Sequence, residues 1–221
     1  GLHRRTGTTR TGQPSATDQL YNEETHIKNM NILILNASPR SNGSIWTMLN
    51  AMEKEAVQQG AHVDTIRVAD LHVKACTGCM ACRTRRDCVL PLDDAQRIAE
   101  IIKACDALII GAPCYWGNMP GQLKVLFDRM VYALIEDNPH GFPKPLHKGK
   151  QAILVSTCTT PYPFNILFNQ SRGTIKALKA VLKWTGFRVK AVIERGSIKE
   201  KPVDSKDLTR CRKAVQKILQ K

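Results

Sequence analysis

The stretch "NILILNA", residues 31–37, carries a continuous apolar run. Such a run is typical of a strand buried on both faces, as in a parallel sheet that helices cover on either side. Four more stretches read as strands, with helical periodicity between them. They are "HVDTIRV" (62–68), "DALIIGAP" (106–113), "KQAILVST" (150–157) and "RVKAVIE" (188–194). Helices are predicted over about 44–60, from Asp93 and Asp94 onward, and over 121–135, 170–185 and 204–220.

Five strands separated by helices predict an α/β fold, a doubly wound five-stranded parallel sheet with helices on both faces. In such sheets ligands bind beyond the carboxyl ends of the strands, at the point where the strand order reverses. The loops after the first, third and fourth strands are therefore the candidate binding loops.

The 221 residues carry a net charge of +14, an excess that lies in the body of the chain and attracts anions. Residues 1–29 are polar and aperiodic, which predicts a flexible N-terminal extension or a start-site artefact before one domain, 30–221. No stretch approaches the ~18 apolar residues of a membrane span. Eight cysteines without a secretory signal favour reduced thiols and a cytoplasmic location.

The loop after the first strand, "NASPRSNGSIW", has polar side chains directly before a helix. The unpaired N–H groups at a helix N-terminus bind phosphate well. The loop lacks the lysine of a nucleoside-triphosphate loop and the G-x-G-x-x-G pattern, so a terminal monophosphate fits best. The alternative is that its Ser and Asn side chains only cap the helix.

The loop after the third strand, "APCYWGNMPGQLK", places the apolar side chains of Tyr115, Trp116 and Met119 at its tip. Large apolar groups on a strand-end loop indicate contact with a planar ligand or with a partner subunit. After the fourth strand, "STCTTPYPFN" forms a Thr- and Pro-rich turn that could close over the same ligand.

Four cysteines fall within "CTGCMACRTRRDC" in the pattern C-x2-C-x2-C-x5-C; they are Cys76, Cys79, Cys82 and Cys88. Closely spaced thiolates on one loop can bind the four irons of a cubane cluster. Structural zinc more often uses two separated cysteine pairs, and a thioredoxin-like centre needs only one C-x-x-C. A 4Fe-4S cluster, a loop without metal, and a zinc ion or disulfide all stay open. Three arginines between the third and fourth cysteines would lower the thiol pKa values, which supports thiolate chemistry.

Together, "SPRSNGS", "PCYWGNMPGQLKVLFDR" and the intervening "CTGCMAC…C" resemble the flavodoxin-like NAD(P)H-dependent FMN reductases. The branch they resemble most contains the iron–sulfur flavoproteins, whose 4Fe-4S motif has this cysteine spacing. The resemblance runs from about Met30 to the last helix. It implies a flavodoxin-like fold, FMN as cofactor, and a homodimer or homotetramer.

The resemblance also implies the flavin contacts. The FMN phosphate would contact Ser38, Arg40, Asn42 and Ser44. The isoalloxazine loop would comprise Pro113, Tyr115, Trp116, Gly117, Asn118 and Met119, and the third flavin loop Thr157 and Cys158. One departure is Ile45, where the family often has Thr, which removes a hydroxyl from the phosphate loop.

The implied reaction is hydride transfer from NADH or NADPH to the flavin, and from there to a quinone, a flavin or another small-molecule or protein acceptor. Such a reaction needs no acid or base from a side chain, so no catalytic residue is predicted. The alternative is a flavodoxin-type iron–sulfur flavoprotein electron carrier without NAD(P)H turnover of its own. Classical flavodoxins are acidic, and the +14 charge argues against that analogy. No nucleic-acid-binding motif or membrane partner is indicated.

Overall fold

The protein, as a computed structural model, is described over residues 30–138 and 141–220. The extension predicted over residues 1–29 lies outside the described residues. The parallel strands are β1 (Asn31–Asn36), β2 (His62–Arg67), β3 (Ala107–Pro113), β6 (Gln151–Thr157) and β7 (Arg188–Arg195), and β4 (Ile135–Glu136) pairs with β5 (Lys144–Pro145) in a small antiparallel ladder.

The helices connect and cover the strands. They are α1 (Ser44–Gln58), α2 (Ala81–Arg85), α3 (Asp94–Ala104), α4 (Gly121–Arg129), α5 (Val131–Leu134), α6 (Phe164–Leu167), α7 (Ser171–Thr185) and α8 (Ser205–Leu219), with a 3-10 turn at Val68–Asp70. No helix among the described residues is both long and apolar enough to cross a membrane.

The main sheet has the order β2-β1-β3-β6-β7, and every neighbouring pair is parallel. This confirms the predicted five-stranded parallel sheet. Strands β4 and β5 do not belong to this sheet. When only its five strands are numbered along the chain, their order is 2-1-3-4-5, that of the flavodoxin-like doubly wound fold. Strand β2 lies on one side of β1, and β3 and the later strands lie on the other, so the strand order reverses between β1 and β3. The binding crevice is therefore expected at the carboxyl ends of these two strands.

Alternate side chains of β1 enter two separate cores, which accounts for its continuous apolar run. Leu33 and Leu35 pack with α3, α4 and α7 on one face. Ile32 and Ile34 pack with α1 and α8 on the other. Since both faces are covered, every position from Ile32 to Leu35 buries apolar surface, as predicted for a central parallel strand.

The helix predicted over 121–135 is interrupted. Helix α4 ends at Arg129, α5 begins at Val131, and the chain then turns into strand β4. The antiparallel β4–β5 ladder was not predicted, because strands of two residues leave no periodic pattern in a sequence.

Helix α1 approaches the sheet closely at Gly111 of β3. A β-carbon at this glycine would lie 2.6 Å from Leu49 Cδ1 and 2.8 Å from Ile45 Cγ2, both on α1. A larger residue would push the helix away from the sheet. Gly111 therefore sets α1 close to β3, and the first turn of α1 opens beside the carboxyl end of that strand.

Candidate functional site

A cleft of about 690 Å³ lies at the carboxyl ends of β1, β3 and β6, where the three predicted loops meet. Eight of the predicted contact residues line it: Ser38, Arg40, Asn42, Ser44, Pro113, Tyr115, Thr157 and Cys158. The register explains the meeting, because Pro113 of β3 pairs with Thr157 of β6, so both strands end at the same level. The volume lies in the range of small-molecule and cofactor sites.

The first turn of α1 presents free backbone donors to the cleft. The helix is capped by Gly43, with no side-chain hydrogen bond at the cap. The alternative in which Ser and Asn side chains cap the helix is therefore not the observed arrangement. Ser38 shapes the loop instead, since its Oγ accepts from Arg40 N at 3.2 Å and its own N–H donates to Asn36 Oδ1 at 3.0 Å. The open N–H groups and the positive end of the helix suit an anion.

The charge of the cleft has the sign that a phosphate requires. Arg40 and Lys199 both line it, whereas no Asp or Glu does so among the described residues. Lys199 was not predicted as a site residue. Burial raises the pKa of the Cys158 thiol, so this cysteine adds no negative charge to the cleft near neutral pH.

The loop after β3 is a tight hairpin. Tyr115 and Asn118 exchange two backbone hydrogen bonds of 3.0 and 2.9 Å. Between them, Trp116 and Gly117 have φ values of +54° and +68°. Positive φ at both central positions defines a type I′ turn, which only glycine adopts without cost. Trp116 therefore holds a strained conformation with its indole fully exposed at the tip.

The other predicted residues of this loop do not line the cleft. Met119, expected at the tip, is 6% exposed and belongs to the core beneath the sheet. Asn118 Oδ1 accepts from Met119 N at 2.8 Å, and Thr174 Oγ1 donates to the Asn118 carbonyl at 2.9 Å. Trp116, Gly117, Asn118 and Met119 thus lie outside the lining of the cleft. Their contact with flavin stays a prediction.

The structure adds lining residues that were not among the predicted contacts, some of them within the predicted loops. They are Gly43, Ile45, Thr47, Cys114, Thr159, Gln170, Ile198, Lys199, Pro202 and Val203. The last four belong to the loop after β7, whose strand end lies beside that of β6. The rule that ligands bind at strand ends would include this loop once β7 is placed next to β6.

A larger groove, of about 1170 Å³, lies along edge strand β7 and contains none of the predicted site residues. Several of its charged groups neutralise each other. Arg172 pairs with Glu194 at 2.9 Å, and Arg195 pairs with Asp207 at 2.7 Å. No residue of β1, β3 or their following loops, all of which the structure describes, lines the groove, so it lies away from the point where the strand order reverses.

All four clustered cysteines border one small cavity, of about 80 Å³. Gly78 and Met80, with φ values of +69° and +60°, fold the segment around it. Gly78 N–H donates to Cys76 Sγ at 3.4 Å, and a hydrogen bond from the Ala81 backbone lowers the pKa of the Cys79 thiol. Over 30–138 and 141–220, no group of three His, Cys, Asp or Glu side chains has the geometry of a metal-ion site.

Arg129 of α4 lies buried against this cavity, its side chain 0% exposed. Its Nη1 donates to Asp93 Oδ2 and to the Lys74 carbonyl, both at 2.7 Å. Its Nε and Nη2 have no hydrogen-bond partner among the described residues. Burial alone would lower the pKa of Arg129, but the Asp93 carboxylate and the Cys88 thiol hold it above its ordinary value.

The Asp93 carboxylate accepts hydrogen bonds both from the start of α3 and from the chain before the cysteine segment. Its Oδ1 accepts from Ala95 N at 2.9 Å and caps α3, as predicted for the start of that helix. Its Oδ2 accepts from Lys74 N at 3.1 Å and from Arg129. Burial by itself would raise the pKa of Asp93, yet hydrogen bonds from two backbone N–H groups and from Arg129 hold it below its ordinary value. Asp93 is therefore ionised near neutral pH and ties the cysteine segment to α3 and α4.

Comparison with known proteins places this fold among flavin-dependent reductases. Residues 30–191 match the family model of NADPH-dependent FMN reductase. The iron-sulfur flavoprotein of Methanosarcina thermophila is 38% identical over 102 residues, 46% of this chain and 53% of that protein. The chain spans about half the length of the curated relatives it matches.

Solved structures share the fold at lower identity. Smu.1420 from Streptococcus mutans UA159 superposes with a TM-score of 0.67 at 23% identity, over 85% of this chain and 97% of that one. The FMN-dependent NADH-azoreductase of Bacillus anthracis str. Ames Ancestor, solved in complex with FMN, has a TM-score of 0.66 at 15% identity, over 86% and 97% of the two chains. At these identities the likeness shows the flavodoxin-like fold alone.

Proposed function

The chain belongs to the family of NADPH-dependent FMN reductases, and on that premise we propose that it is an FMN-dependent NAD(P)H oxidoreductase. Its acceptor would be a quinone, a free flavin or another small molecule or protein. The observation that carries the proposal is the cleft in which an open helix N-terminus, two cations and three strand-end loops meet. We propose residues 30–221 as one FMN-binding domain, cytoplasmic and assembled as a homodimer or homotetramer.

The residues of the cleft fit FMN. The first turn of α1 would bind the terminal phosphate through its N–H groups, with Arg40 and Lys199 neutralising the charge. The missing hydroxyl at Ile45 matters little, because the helix donors belong to the backbone. Pro113 and Tyr115 would contact the ring system along β3, and Thr157 and Cys158 would close the site from β6.

When bound, FMN supplies the ability to accept an electron pair and to pass electrons on one or two at a time. The protein's part is to orient the ring and leave one side of it open to the nicotinamide. We propose the exposed indole of Trp116, at the hairpin tip outside the lining of the cleft, as the platform for a planar ring.

We propose further that the cysteine segment holds a 4Fe-4S cluster. Four thiols border one cavity, which is also lined by a buried guanidinium with two nitrogens that are unpaired among the described residues. That combination fits a group with negative charge and sulfur acceptors better than it fits an uncharged loop. The relatives named iron-sulfur flavoproteins support the same proposal. Such a cluster accepts single electrons, so the protein would connect two-electron with one-electron transfer.

The experiment that tests both proposals is a visible spectrum of anaerobically purified protein, before and after NADPH. We expect two resolved flavin bands over a broad shoulder, with the flavin bands bleaching on NADPH. Flavin bands that never bleach with NADPH or NADH would favour the electron carrier without turnover. A colourless protein that FMN cannot reconstitute would exclude the cleft as a flavin site.

Replacing Cys79 with Ser separates the two cofactors. The variant should lose iron and retain FMN, because the cysteine cavity and the strand-end cleft share no lining residue. Loss of FMN together with iron would contradict the assignment of two separate sites.

A further inference from the structure

The unpaired groups of Arg129 require an explanation. Burying a guanidinium is costly unless each N–H finds a partner, and unpaired buried donors are rare in folded proteins. Arg129 has one carboxylate, Asp93, and one carbonyl, yet its Nε and Nη2 are without partners among the described residues. The side chain faces the cavity that the four cysteines border.

Arg129 lies between the two ends of the cysteine segment. It donates to the carbonyl of Lys74, two residues before Cys76, and it lines the same cavity as Cys88, the last cysteine. Asp93 strengthens the same junction by accepting from Lys74 N. The guanidinium is thus held through Nη1 by Lys74 and Asp93, at the cavity that the thiols border.

The three arginines of the segment are either paired with carboxylates or exposed, although Arg83 also lines the cavity. Arg83 pairs with Asp137 and Arg86 with Glu136, so carboxylates offset both charges. Arg85 is exposed, and solvent screens its charge. Among the described residues that line the cavity, Arg129 is the cation with no solvent contact.

We propose that Arg129 is a positioning residue that sets the reduction potential of the cluster, through a fixed positive charge and the unpaired Nε and Nη2 donors at the cysteine cavity. The inference rests on the proposed cluster. Adding one electron to a thiolate-bound cluster adds one negative charge, and a buried cation stabilises the more negative, reduced form. Arg129 therefore raises the potential, and its removal lowers it.

The test compares Arg129→Gln, Arg129→Lys and the matched control Arg85→Gln in anaerobically purified protein. Iron and FMN per chain are measured first, and the cluster is then titrated with a reductant while the reduced form is followed by electron paramagnetic resonance. At the wild-type midpoint potential, the ratio of reduced to oxidised cluster should fall at least tenfold in Arg129→Gln, which is 59 mV for a one-electron couple. Arg129→Lys retains the charge and should change the ratio less than threefold, as should Arg85→Gln.

Each outcome decides one question. Equal shifts in Arg129→Gln and Arg85→Gln, or no shift in either, would overturn the role of Arg129 while leaving the cluster in place. If Arg129→Gln loses its iron, Arg129→Lys carries the test: full iron with a tenfold fall in the ratio would show that the charge is not what sets the potential. Wild-type protein with FMN and no iron would overturn the proposed cluster and this inference with it.

Discussion

The carbonyl oxygen of Gly117, at the tip of the β3 hairpin, lies 2.0 Å from the position that a β-carbon on Gly173 would occupy. Gly173 stands in the first turn of α7, and the next residue, Thr174, donates to the Asn118 carbonyl. The hairpin therefore rests directly on the backbone of α7. Its conformation depends on the absence of a side chain 56 residues further along the chain.

We expect Gly173→Ala to destabilise the protein by about 1–3 kcal/mol, the usual cost of overpacking. On an isolated helix the same change would stabilise by about 1 kcal/mol, so the sign of the effect tests the contact. The displaced hairpin should also weaken FMN binding. Urea unfolding and a fluorescence titration with FMN measure the two effects.

Gly121→Ala is the matched control. This glycine begins α4 and has open space around its β-carbon position, so the variant should be as stable as the wild type or more so. A destabilised Gly121→Ala, or a Gly173→Ala that gains stability, would contradict the contact.

Trp116→Gly separates strain from binding. The tryptophan has φ +54° and no burial, so glycine should leave the free energy of unfolding within about 1 kcal/mol of the wild type. The loss of the aromatic platform should raise the FMN dissociation constant tenfold or more. Trp184→Ala, at an exposed tryptophan near the far end of α7, should leave FMN binding unchanged. Equal FMN affinity in the wild type, Trp116→Gly and Trp184→Ala would show that Trp116 does not contact the flavin.

Arg40→Gln tests the phosphate end of the cleft. Removing this exposed cation should weaken FMN binding roughly three- to tenfold and reduce its salt dependence. Riboflavin lacks the phosphate, so its affinity should not change. Arg188→Gln, an exposed position at the opposite end of β7, is the control. A parallel loss of riboflavin affinity would place Arg40 against the ring rather than the phosphate.

His147 should make stability depend on pH. Its Nε2 bonds to the Ala133 carbonyl at 2.8 Å, its ring stacks on Phe187, and burial lowers its pKa to about 4. In the unfolded chain His147 takes up a proton near pH 6.5, whereas in the folded protein it stays neutral down to about pH 4. The contribution of His147 to the free energy of unfolding is therefore full above pH 6.5 and is lost as the pH falls from 6.5 to about 4. The loss should approach about 3 kcal/mol at its lower end.

Chemical unfolding at pH 7 and pH 4.5 measures this effect in the wild type and in His147→Gln. The variant should be less stable at pH 7 and should lack the part of the pH dependence that His147 causes. His62→Gln, at an exposed histidine, should retain the wild-type slope. A His147→Gln protein with an unchanged slope would place the titrating group elsewhere.

Local pattern predicted the layers of the fold and much of the candidate cleft. The apolar runs of β1 and β3 are buried from both faces, so their residue types alone identify central parallel strands. Once the strands are parallel and neighbouring, their following loops must meet at one edge. The meeting of Ser38, Pro113 and Thr157 in one cleft therefore follows from strand order and chain direction.

The break at Met130 and the burial of Met119 were not predictable in the same way. A helical pattern continues through 121–135, whereas in the structure the helix breaks at Met130 and the chain then enters the β4–β5 ladder, whose second strand follows further along the chain. Met119 sits on a loop that reads as exposed, yet it packs into the core beneath the sheet. In both cases the deciding neighbours are distant in sequence.

By itself, the sequence determined the alternation of strands and helices, the family motifs and the spacing of the four cysteines, because each depends on residues near one another in the chain. The tertiary structure alone decided that Gly173 supports the hairpin, that Lys199 joins the cleft, and that Arg129 is buried. In the sequence Arg129 is an ordinary cation at a helix end. Only packing brings it to Lys74 and Asp93 and closes off the water that would otherwise solvate its charge.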